Sequence, residues 1–312
     1  MSTSLSRFFK VIGISKQAFH QRMNRRLVEH SYEHQLLHLI HQLRGEHPTM
    51  GCRDMYFKLC PEHMGRDRFE QFCMLHGLAS KPIRNFAKTT DSSGVVKFEN
   101  LTENLVLCGL NQLWVSDITY FEVNGRCYYL TFITDAYSRR ILGHVASKRL
   151  FTEQTSLPAL QQAIASRKGM NLKGLIFHSD GGGQYYDKGF LKMTEDHEFR
   201  NSMCDYAWEN GKAERVNGVI KNNYLKHWNI KSFEELTREL DRSVQLYNED
   251  KPHSSLKRLT PVTFENRYLA NGKAFDGDKS TTEYEMLQPQ GMNNPAGCGK
   301  AFLGSNITLE YV

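Results

Sequence analysis

The stretch Leu175-Ile-Phe-His-Ser-Asp180-Gly-Gly-Gly183 constrains the chain more than any other. A short apolar run closed by a glycine cluster reads as a buried strand. An acid at the carboxyl end of such a strand faces the crevice in which open α/β sheets bind their ligands. An Asp-Gly turn following a strand has the same local signature. What singles out Asp180 is the company of two further acids, Asp117 upstream and Glu214 downstream.

The texture around these acids is that of a mixed sheet. Leu113 to Phe121 is rich in β-branched and aromatic residues, Asn124-Gly125 is a strong two-residue hairpin signal, and Arg126 to Thr134 is the return strand. A third strand is expected over Ile141 to Ala146, and a helix over Glu153 to Ser166 with Pro158 near its start. Asp117 falls inside the first strand between Val115 and Ile118, where a carboxylate is costly unless it is paired or holds a metal. Glu214 opens the helical run Gly211 to Leu225. At 100° per residue it shares a face with Asn217, Gly218 and Lys221, while Val216, Val219, Ile220 and Tyr224 cover the other. Position alone leaves Asp205 and Glu209, in the preceding loop, as rivals to Glu214.

The first quarter of the chain has a different character. Residues 1–88 hold 14 Lys/Arg against 7 Asp/Glu, in a chain whose net charge is +6, so the remainder is close to neutral. A basic region on a neutral body suits a polyanion partner such as DNA, or else a solvated basic face. Leu5, Phe8 and Phe9 followed by Gly13, Ser15, Ala18, Phe19 and Met23 form a helix-turn-helix pattern, with Arg22, Arg25 and Arg26 at the end of its second helix as candidate phosphate contacts. Further helices are expected over His30–Leu43, Arg53–Leu59 and Arg68–Leu75, the last stopping at Gly77. His30, His34, His38 and His41 lie along one helical stripe and read as a solvated face rather than a metal site. The seven cysteines contain no C-x-x-C pair and read as small buried hydrophobes. No signal peptide and no apolar run of membrane-spanning length is visible, so a cytoplasmic, nucleoid-associated protein without a membrane partner is expected. The expected division is a helical DNA-binding region over 1–88, a linker over 89–105, a catalytic core over 106–270 and a loosely ordered tail over 271–312.

Three converging carboxylates repel one another, and hard divalent ions with oxygen ligands resolve that conflict. Two such ions, about 4 Å apart, can stabilise the attacking and leaving oxygens of a phosphoryl displacement. Lys221, two helical turns from Glu214, would then lie where a DNA phosphate approaches.

Five blocks in order carry a family resemblance. They are Trp114-Val-Ser-Asp117-Ile-Thr-Tyr, Phe132-Ile-Thr-Asp135-Ala-Tyr-Ser-Arg139, His178-Ser-Asp180-Gly-Gly, Asn210-Gly-Lys-Ala-Glu214-Arg-Val-Asn-Gly-Val-Ile-Lys221, and Tyr247-Asn248 with Pro252-His253-Ser-Ser-Leu256 and Thr260-Pro261. Together they resemble the integrase-type (DDE) core of bacterial insertion-sequence transposases, most closely the second-reading-frame product of the IS-three family, akin to retroviral integrases. Upstream, His47-Pro-Thr-Met-Gly51-Cys-Arg53 and Gly77-Leu-Ala-Ser-Lys81 are similar to the helical DNA-binding domain preceding that core.

The resemblance implies an RNase-H-like mixed five-stranded sheet with flanking helices, preceded by an all-α domain containing the helix-turn-helix. It makes Asp117, Asp180 and Glu214 both the catalytic acids and the ligands of two Mg²⁺ ions, with Mn²⁺ as a substitute, and leaves Asp135 as a residue of the fold. It implies cleavage at mobile-element ends and joining of the 3′ hydroxyl to another phosphodiester, by a homo-oligomer on DNA, with a first-frame protein as a further partner. A nuclease on the same core, or a DNA-binding protein with a retired active site, are the competing readings.

Overall fold

The computed structural model describes residues 9, 11, 13–80, 98–204 and 211–271, in two compact units. The first unit is helical: α1 (Lys16–Glu46), α2 (Cys52–Leu59) and α3 (Arg66–Leu75). Gly13 takes a left-handed turn at φ 65°, and the Ser15 hydroxyl accepts a hydrogen bond from the Ala18 amide at 3.1 Å, so the start of α1 is capped as its sequence suggests. The helix does not end after Arg26. It runs unbroken for 31 residues because no glycine or proline interrupts it before Gly45, so Arg22, Arg25 and Arg26 stand exposed in its interior rather than at its end. Its buried residues, Leu36, Ile40 and Leu43, lie in its second half, within a unit whose buried residues include Met55, Phe69 and Phe72. His30, His34, His38 and His41 are all exposed. The first helix of the expected helix-turn-helix lies mostly outside the described residues.

The second unit is built on a five-stranded sheet of order β3-β2-β1-β4-β5, comprising β1 (Leu113–Val123), β2 (Arg126–Asp135), β3 (Ile141–Ser147), β4 (Ile176–Ser179) and β5 (Arg200–Met203). The first three strands form an antiparallel meander, and β4 and β5 run parallel to β1. The turn between β1 and β2 has positive φ at both Asn124 (50°) and Gly125 (76°), the conformation that follows the twist of the strands it joins. This mixed sheet with helices on both faces is the RNase-H-like arrangement.

Alternation along β1 sorts the two cores. Trp114, Ile133 and Leu142 face α4 (Ser156–Ser166) and, through Phe177, Phe190 of α5 (Lys188–Asp196). A Cβ on Gly143 would come within 2.0 Å of the Ala159 carbonyl oxygen, so the glycine lets α4 lie directly on β3. Leu130, Phe132 and Ile141 on the opposite face pack with α6 (Gly211–Asn223) and α7 (Phe233–Gln245). Leu101, Leu105 and Leu107 pack beside Leu113, Val115, Ile176 and Ala213, so part of the stretch that reads as a connector covers the sheet.

The last helix, α8 (Pro261–Asn271), brings Glu265 into the sheet's rim. That carboxylate, 1% exposed, accepts hydrogen bonds from both terminal nitrogens of the buried Arg167, from Arg140 (2.7 Å) and from the Ser138 hydroxyl (2.6 Å). Burial opposes its charge, but the bonds and charge of Arg167, with Ser138 and Arg140, outweigh burial and hold the carboxyl below its usual range. Asp135, fully buried beside Arg167, accepts from the amides of Asn111, Tyr137 and Ser138 and so fixes the turn leaving β2.

Candidate active site

Three elements bring the acids to one region. Asp117 sits mid-way along β1, opposite Phe132 of β2. The parallel register pairs Val115 with His178; Asp117 lies two residues further along β1, and Asp180 follows directly on the end of β4 at Ser179. Glu214 lies in the first turn of α6, exposed to solvent, and α6 is held on that face by Ala213, Val216 and Ile220. The rivals Asp205 and Glu209 lie outside the described residues.

The electrostatics record this proximity. Burial first, then the negative charges of Asp180 and Glu214, push the Asp117 carboxyl up to about 7. Burial also raises Asp180, against the pull of the Gly182 amide, which donates to its Oδ1 at 3.2 Å. The oxygens of the three acids are not all within 4.8 Å of one another. They are near enough to repel and have not closed on a common point.

Two side chains of α6 touch the β1 acid's surroundings in ways that a helical wheel does not show. Asn217 is 5% exposed rather than on an open face, and its amide nitrogen donates to Asp117 Oδ2 at 2.6 Å. Its Oδ1 is buried without a hydrogen-bond partner among the described residues. Only the register of α6 against β1 reveals this pair, which lies 100 residues apart in sequence. The Lys221 ammonium bonds the Thr119 hydroxyl (2.6 Å) and the Tyr120 carbonyl (3.3 Å), so it lies against the strand two residues past Asp117 rather than reaching freely into solvent.

The loop after Asp180 is anchored on the other side of the sheet. The Tyr185 hydroxyl is 2.8 Å from that of Ser116, which donates to the Phe132 carbonyl at 3.0 Å, and the Tyr185 ring is buried against Phe177 and Phe190. Asp187 caps α5 by accepting from Gly189 at 2.7 Å. Both ends of the segment carrying Asp180 are therefore fixed, by β4 and by α5.

The three acids offer only carboxylate oxygens, and the side chain that donates to Asp117, Asn217, carries an amide oxygen with no hydrogen-bond partner among the described residues. Such a set fits a hard divalent cation and does not fit zinc or copper, which favour nitrogen and sulfur. Cysteine plays no part in it. Cys108 and Cys127 are exposed and Cys73 and Cys204 buried, so the expectation of uniformly buried cysteines holds for only some.

Residues 109–207 and 198–261 each match the integrase core domain family. An IS600 insertion-element 31 kDa protein of Shigella sonnei is 29% identical over 227 residues, covering 70% of this chain and 82% of the relative. The HTLV-2 integrase catalytic core domain, solved in complex with magnesium, is similar over 49% of this chain and 95% of its own, at 20% identity and a TM-score of 0.40. The transposase InsF of insertion sequence IS3A from Escherichia coli K12 is 31% identical over 199 residues, covering 62% of this chain and 68% of InsF. Matched along two thirds of an insertion-sequence transposase and carrying the integrase core on the expected sheet, the chain belongs to the integrase-core transposases of bacterial insertion sequences.

Proposed function

We propose that this transposase cleaves DNA at the ends of a mobile element and joins the freed 3′ hydroxyl to a second phosphodiester, with Asp117, Asp180 and Glu214 as its catalytic acids. The observation that carries the reading is the Asp117 carboxyl, raised to about 7 by burial and by the charges of the other two acids. A largely buried carboxylate repelled by two other acids that β1, α6 and the loop after β4 bring near it costs a fold stability, which supports a functional role for the group.

In this reading the three carboxylates hold two Mg²⁺ ions, for which Mn²⁺ substitutes. When bound, such ions would supply positive charge for activating an attacking oxygen and stabilising a leaving one. The protein's share is placement. β1 carries Asp117 and the end of β4 leads into Asp180, α6 holds Glu214 on a packed helix, and Asn217 donates to the Asp117 carboxylate. Lys221 offsets part of the Asp117 charge and, released from Thr119, can turn to a DNA phosphate.

Strand transfer rather than hydrolysis is the outcome expected when the protein is incubated with labelled candidate end DNA and Mg²⁺. Joined products identify a transposase reaction; nicks alone would identify a nuclease on the same core.

The helical unit supplies DNA affinity in this account, through Arg22, Arg25 and Arg26 on the exposed half of α1. Replacing all three with alanine in the full chain should weaken binding and flatten the slope of log affinity against log salt by about 2 to 3, since each phosphate left without its arginine removes about 0.9 from that slope. An unchanged slope would place the phosphate-binding residues elsewhere. A homo-oligomer on DNA and a first-frame partner protein remain part of the proposal.

A further inference from the structure

Beyond the carboxylates, the short segment following β3 has an unusual economy. Lys148, Arg149, Leu150 and Phe151 are four consecutive exposed residues, with Leu150 40% and Phe151 53% exposed. Their backbone is nevertheless tied down. The Arg149 carbonyl accepts from the Ser147 hydroxyl at 3.1 Å, the Leu150 carbonyl from the Gln184 amide at 3.1 Å, and the Phe151 carbonyl from the Thr155 hydroxyl at 2.8 Å and the Gln154 amide at 3.0 Å. Lys148 is engaged with Glu234 at 3.8 Å and with the Phe233 ring at 4.6 Å, so the fixed backbone presents Arg149, Leu150 and Phe151 to a partner. The Arg149 guanidinium lies 5.8 Å from the centre of the Phe151 ring, so cation and aromatic face form one platform.

The place of this platform suggests what it meets. Gln184 belongs to the loop that begins at Asp180, so one hydrogen bond links the platform to the loop of the candidate site. Ser147 pairs with Tyr129, which pairs with Tyr120, three residues past Asp117 and two strands away. At ~3.3 Å per residue and ~4.8 Å per strand, Ser147 is roughly 14 Å from Asp117, and the platform follows directly after it. DNA with its reacting phosphate at the carboxylates covers such a distance in about four base steps. A basic side chain beside an aromatic ring suits a phosphate and an unpaired base of that strand.

We propose that Arg149 and Phe151 form a contact surface for the DNA flanking the reacting phosphate, Arg149 bonding phosphate and Phe151 stacking an unpaired base. The inference rests on the DNA-joining reading and takes the reacting phosphate to lie at the three acids. Binding of the full chain, without divalent ion, to a blunt duplex and to the same duplex carrying a short single-stranded tail tests it. Phe151→Ala should weaken binding to the tailed duplex about tenfold and leave the blunt duplex within about twofold. Arg149→Ala should weaken both and reduce the salt slope by about one. Both residues are exposed, so a thermal melt matching that of the parent protein confirms the fold. Unchanged affinity for the tailed duplex in Phe151→Ala, or an equal loss on both duplexes, overturns the stacking surface. So does altered self-association with DNA affinity unchanged, which would make the patch a contact between copies. An error in the acid assignments would instead appear as strand transfer by an acid variant, a separate readout.

Discussion

Asp117→Asn is expected to make the metal-free protein more stable, not less. The carboxyl is pushed from 3.8 to about 7 in the fold, chiefly by burial and then by Asp180 and Glu214. At about 1.4 kcal/mol per pKa unit, discounted for the part of the side chain that solvent reaches, ionised Asp117 costs the native state about 2 to 4 kcal/mol. Because the folded pKa lies above the unfolded one, the native state holds its proton more tightly. The group adds no penalty below about pH 4, and stability is lost as pH rises towards 7. Asparagine keeps an acceptor for the Asn217 amide and carries no charge to bury. The difference in melting temperature between the variant and the parent should therefore be small at pH 4 and grow towards pH 7, and Mg²⁺ should narrow it by stabilising the parent alone. A variant that melts lower than the parent at neutral pH would mark Asp117 as a structural residue.

Glu265→Ala is expected to have the opposite effect. It takes both hydrogen-bonded carboxylate oxygens from Arg167, 2% exposed, leaving it Asp135 at 3.8 Å, and removes the acceptor for Arg140 and Ser138 as well. Breaking a buried ion pair by deleting one partner costs about 3–5 kcal/mol, which for a chain of this size lowers the melting temperature by on the order of 10 °C. Thermal denaturation checks it, and a loss below about 1 kcal/mol would mean that Arg167 finds other partners. The cluster lies on the rim of the sheet, so the melting loss should appear without any change in Mg²⁺ dependence at permissive temperature.

These two effects mark the boundary of what the sequence discloses. The meander, its Asn124-Gly125 turn and the strand ending at Asp180 are legible because each is a local signal: period, turn chemistry or a glycine stop. The two aspartates stand out because a carboxylate in or at the end of an apolar strand is locally anomalous. Glu214 has no such mark, since a surface glutamate on a helix is ordinary, and only the ordered blocks around it suggest the role proposed for it. What stays hidden depends on contacts between distant segments. Asn217 looks like an open-face residue until α6 is laid on β1, and Glu265 pairs with residues 98 and 127 positions away. The length of α1 departs from the expected helix-turn-helix because that pattern needs a stop after Arg26 that no residue in the sequence enforces.

The most direct test of the account is Mg²⁺-dependent joining of labelled end DNA by Asp180→Asn and Glu214→Gln, alongside Glu209→Gln and the parent protein. DNA affinity is measured separately for each. Removing either proposed metal ligand takes away transition-state stabilisation but no phosphate contact, so joining should fall by about a thousandfold or more while affinity changes little. Glu209→Gln, altered before the helix begins, should retain most of the activity. Joining by Asp180→Asn or Glu214→Gln within a few-fold of the parent, or an equal loss in Glu209→Gln, would contradict the assignment of Asp117, Asp180 and Glu214 as the acids of this transposase.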